Sequence, residues 1–132
     1  MDQMIAEKGR DAARHLLGTK YKRLGRGPGG IDCVGVVLRS RAAQGLPPIE
    51  APQYSERHPV AAAAEALCRF AVPLEPKEEL PGDICLIAPM GMPSHLGIWT
   101  GASVIHSSLL MGMVVEVPVT RLGLRRFFRW KE

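Results

Sequence analysis

The chain has 132 residues, 46% hydrophobic and 23% charged, with a net charge of +4, which is one domain's worth (1–132) with enough apolar content for a single core without staples. Three scattered cysteines, Cys33, Cys68 and Cys85, form no CxxC pair and exclude a disulfide framework. No apolar run approaches the roughly 18 residues of a membrane span, and residues 1–8 lack the basic and apolar regions of an export leader, so the chain is expected in the cytoplasm at synthesis, with no membrane partner.

Residues 2–18 carry apolar positions at Ile5, Ala12, Ala13, Leu16 and Leu17 and end at Gly18. That spacing predicts an amphipathic helix closed by a glycine. A glycine-rich loop follows (Gly25, Gly27, Gly29, Gly30), then Asp32-Cys33 and an apolar run to Ala43, stopped by Gly45 and Pro47-Pro48. This predicts a second, largely buried helix starting at the cysteine, with Asp32 suited to cap it. Its β-branched valines lower helix propensity, so burial must hold it. Residues 47–59 read as a proline-containing loop that walls the cleft, and the alanine-rich 60–70 as a third helix.

From Asp83 onward the pattern becomes that of strands: 84–88, 95–100, 104–108, 113–117 and 124–130, separated by glycine and proline. Helices first and strands second imply an α+β domain, N-terminal helices packed on a C-terminal antiparallel sheet. The stretch 100–103 reads as a hairpin turn; a loop of two or four residues puts His95 and His106 on one face of adjacent strands, whereas three would separate them.

Basic residues crowd the C-terminus (Arg121, Arg125, Arg126, Arg129, Lys131) and flank the glycine loop (Lys20, Lys22, Arg23, Arg26). Without interleaved aromatics or a nucleic-acid module they read as a solvated basic face, and nucleic acid is not an expected partner. Cys68 and Cys85 sit in apolar runs and read as core, as do Trp99 and Trp130 at a sheet core or edge. His15 and His58 lie in no motif.

Cys33 combines a glycine loop with the head of a helix, where the dipole and unpaired N–H groups favour a thiolate. Downstream imidazoles titrate near neutrality, so Cys33, His95 and His106 form a candidate set of nucleophile, base and orienter. A zinc site from these three lacks a close-spaced ligand pair and a fourth ligand; no metal or cofactor is expected.

In order, the chain carries Tyr21, the G-x-D-C-x-G stretch from Gly30 to Gly35, Pro81-Gly82-Asp83, His95-Leu96-Gly97-Ile98, and Val104-Ile105-His106. This set resembles the NlpC family of papain-like cysteine peptidases, which cleave peptide bonds in cell-wall stem peptides. The resemblance implies a papain-like fold, with Cys33 as nucleophile, His95 as general base and His106 as its orienter. It further implies Tyr21 and Asp32 as binders of the free amino end of a peptidoglycan stem peptide, although Val34 stands where many relatives carry serine. The lack of a wall-binding module resembles compact members found with phage or prophage tail genes, which implies tail proteins as partners. Two other readings stay open: a tail-associated structural protein keeping the scaffold, and a thiol deamidase or acyltransferase acting on another amide.

Overall fold

The computed structural model describes residues 1–50, 67, 69–88, 95–121 and 123–132. The expected loop and third helix over 47–70 therefore lie mostly outside the described residues.

Helix α1 (Gln3–His15) begins where the Asp2 carboxylate accepts the Ile5 N–H at 3.1 Å, as an N-cap does. It stops at Leu16, earlier than the glycine signal implied. Gly18, in the left-handed region at φ +85°, instead turns the chain so that its N–H bonds Val114 O. Two short strands, β1 (Arg26–Gly27) and β2 (Gly30–Ile31), then make a miniature hairpin.

Helix α2 (Cys33–Ala43) starts at the cysteine, as expected. Val34, Val36 and Val37 are all buried, and at roughly 1.5–3 kcal/mol for each such side chain their burial outweighs their weak propensity. Gly45 closes the helix at φ +79°.

Strands β3 (Ala71–Pro73), β4 (Ile84–Ala88), β5 (His95–Trp99), β6 (Ser103–Ser108), β7 (Met113–Pro118) and β8 (Leu124–Trp130) form one antiparallel sheet in the order β3-β8-β4-β5-β6-β7. A turn of 3-10 helix, Val119–Arg121, joins β7 towards β8. The sheet's two faces divide by alternation. Ile84, Leu86, Leu96, Ile98, Ile105 and Trp130 pack under the helices, while Cys85, Ile87, Trp99 and Val104 form a smaller cluster on the other face. Two helices on a six-stranded antiparallel sheet realise the expected α+β class.

Gln44 locks the layers together: its Nε2 donates to Ala6 O of α1 at 3.1 Å and to Gly82 O at the entrance to β4 at 3.3 Å. Gly82 sits at φ +103°, and a Cβ there would overlap the Ala6 carbonyl. Beside it, the buried Asp83 carboxylate takes Arg129 Nε at 2.9 Å and Nη2 at 2.7 Å, plus the Leu80 N–H. The Pro81-Gly82-Asp83 motif is thus a layer junction. Arg129 departs from the expected basic face, because this bidentate pairing draws its guanidinium onto the sheet.

Candidate active site

Asp32 caps α2 by accepting the Gly35 N–H at 2.9 Å. The same carboxylate, 2% exposed, accepts the Leu24 N–H and Arg26 Nη1, each at 2.8 Å. One charge thereby fixes the helix head and the preceding loop.

Cys33 follows at the first helical position. Backbone hydrogen bonding from Leu96, Val34 and Cys33 itself favours its thiolate, but burial disfavours that charge more strongly. The nearby Asp32 carboxylate adds to the rise, and the thiol is pushed up to about 11. Burial thus opposes the thiolate that the helix head was expected to favour. Tyr21, which meets Ile31 in a parallel bridge, is part-buried; that burial, then the charges of Cys33 and Asp32, raise its phenol. These couplings bring Tyr21, Asp32 and Cys33 into one neighbourhood.

His95 opens β5, immediately before Leu96, whose backbone reaches the sulfur. The pairings Trp99↔Val104 and Ile98↔Ile105 leave a four-residue turn, 100–103, so His95 and His106 share a face. Their rings meet edge-on with centroids 4.9 Å apart. Gly97 makes room for this, since a Cβ there would press on Val104 and come within 3.2 Å of the His106 Cβ. Burial lowers the pKa of His95; burial and then the neighbouring His95 lower that of His106, to about 4. Nδ1 of each ring is buried without a hydrogen-bond partner. Among the described residues, no hydrogen bond joins Cys33 to His95. Burial therefore disfavours the charged form of all three groups.

Ser107 was not legible as a site residue. Its buried hydroxyl donates to Ile31 O at 2.7 Å, tying the strand that bears His106 to the segment entering Cys33.

Because the thiol titrates near 11, its alkylation by iodoacetamide is expected to rise about tenfold per pH unit from pH 7 to beyond 9. Mass mapping of the Cys33 peptide reads the rate, and a plateau below pH 8 would contradict the buried-thiol state. The sign for stability follows. Cys33 and Cys85 are raised from 9.0 to about 11 and about 12. Their contribution is therefore complete below pH 9 and is lost as the pH climbs through those values.

No family profile and no curated protein matches the sequence. Solved structures do. NlpC1 from Trichomonas vaginalis superposes with a TM-score of 0.72 at 19% identity, over 96% of this chain and 45% of that one. The NlpC/p60 domain of the peptidoglycan hydrolase SagA gives 0.67 at 19% identity, covering 96% and 98%. RipD from Mycobacterium tuberculosis, described as a non-catalytic NlpC/p60 domain protein adapted to peptidoglycan binding, gives 0.65 at 16% identity, covering 96% and 97%. Two helices packed on an antiparallel sheet in this strand order are thus a known architecture: this chain has the NlpC/p60 fold.

Proposed function

We propose that the protein is a cysteine peptidase that hydrolyses an amide bond in peptidoglycan stem peptides. The observation that carries this reading is the convergence of a helix-head cysteine with the start of β5, where Leu96 bonds the sulfur and the adjacent His95 contacts His106.

In the proposed mechanism, Cys33 Sγ passes its proton to His95 as it attacks the substrate carbonyl. Burial of both groups favours this transfer as part of the reaction over a standing ion pair. Backbone N–H at the α2 head stabilises the tetrahedral oxyanion. The protonated His95 then gives its proton to the leaving amine as the C–N bond breaks, leaving a thioester on Cys33. A water deprotonated by His95 cleaves the thioester, releasing the acid and restoring the thiol. His106 holds the His95 ring by edge contact. Tyr21 lines the amino-end subsite, and Asp32 supplies negative charge behind it.

The test uses stem peptides with a free or an acetylated L-Ala amino end, with products followed by mass spectrometry. Cleavage of the free form alone is expected; cleavage of neither would overturn the peptidase reading. A second reading, a binding domain on the same scaffold, is favoured by the burial that disfavours the Cys33 thiolate and by the absence, among the described residues, of a Cys33–His95 hydrogen bond. It predicts retention on peptidoglycan without products.

A further inference from the structure

The turn between β6 and β7 holds large apolar side chains in solvent. Leu109 is 69% exposed, Leu110 94% and Met111 60%, with Met113 and Leu17 exposed nearby. The turn is braced from beneath. Ser108 Oγ accepts the Met111 N–H at 3.0 Å, Ser108 O accepts the Gly112 N–H at 2.8 Å, and Gly112 O accepts the Tyr21 N–H at 2.9 Å. Ordinary burial would fold such residues inward; here the backbone fixes them outward. Lys20, bridged to Met113, is exposed beside the tip, and Lys22 is exposed two positions further along the chain.

We propose that this tip is an interfacial anchor that inserts Leu109, Leu110 and Met111 into an anionic lipid surface while Lys20 and Lys22 engage the headgroups. Exposure and charge favour this occupant. A nearly fully exposed leucine with exposed apolar neighbours needs a medium that closes around it, and a headgroup layer does so. Lysines flanking apolar side chains add attraction to anionic lipid. No described helix is long or apolar enough to cross a membrane, so the mode is peripheral. Because Gly112 bonds Tyr21, which lies beside Cys33, anchoring holds the candidate active site at the surface. The inference does not depend on Cys33 being catalytic.

The test is co-sedimentation with vesicles of pure phosphatidylcholine or of equal parts phosphatidylglycerol and phosphatidylcholine. The full chain is expected to bind the anionic vesicles and to be released by salt. A triple variant, Leu109→Ser, Leu110→Ser and Met111→Ser, should bind roughly tenfold less, with an unchanged circular dichroism spectrum, because these side chains are mostly exposed and belong to neither core cluster. Lys20→Glu with Lys22→Glu should also weaken binding. Failure of the full chain to bind either vesicle overturns the proposal. So does binding that the triple variant retains, which would be charge attraction alone. Conversion of a dimer to a monomer by the triple variant would also overturn it, since a second copy would then cover the tip.

Discussion

Replacing Cys33 with alanine is expected to lower hydrolysis of a free-amine stem peptide by at least about 10⁴-fold, the scale on which an acyl-transfer enzyme depends on its nucleophile. The fold should persist. Cys33 is buried, but alanine preserves its Cβ. The helix is held by the Asp32 cap and buried valines, so a stability loss of no more than about 1.5 kcal/mol is expected. Urea unfolding and initial rates separate the two quantities. A variant keeping a tenth of the activity would exclude Cys33 as the nucleophile. A variant that is inactive because it has unfolded would show a lost urea transition.

Gly82→Ala should produce the largest stability loss of any single methyl added to the described residues, about 4 kcal/mol or more. Two costs coincide there. The φ of +103° is strained for an L side chain, and the new Cβ would occupy the space of the Ala6 carbonyl, which Gln44 also engages. Relief would require α1 to lift from the junction. A domain with about 5–15 kcal/mol in total would be left marginal, and the urea midpoint should fall steeply. Gly45→Ala is the control: its φ is +79°, but no atom lies within 4 Å of the added Cβ, so only the backbone strain of about 1–2 kcal/mol remains. Equal losses at the two sites would show that the close approach of α1 contributes nothing.

Local chemistry made part of this molecule legible. The start of α2 was readable because Asp32 caps it and the glycine loop breaks the chain before it; its end was readable from Gly45 and Pro47. The five long strands were readable from alternation and from the glycines and prolines between them. By contrast, β3 is three residues ending in a proline, so pairing with β8 creates it, and β1 and β2 together are one arginine, two glycines and Ile31, too short to show alternation. The identities of Cys33, His95 and His106 as a set came from motif order, but the ionisation of Cys33 did not. The groups that desolvate and bond its thiol arrive from β5, some sixty positions along the chain, and a helix-head argument confined to neighbours overlooks them. Arg129 failed to read as a partner of Asp83 for the same reason: the two are 46 residues apart.

The candidate site is divided between a helix head and two later strands, bridged by Ser107 and Ile31 across 76 positions. This separation has a bearing on synthesis. At about 5–20 residues per second, roughly 4–15 s pass on the ribosome between Cys33 and His106. Through that interval the nascent thiol has neither of the two imidazoles nor the strands that carry them. The candidate site is therefore assembled only once the β5–β6 hairpin has emerged and docked. A translation product ending before His95 would carry the thiol without either histidine.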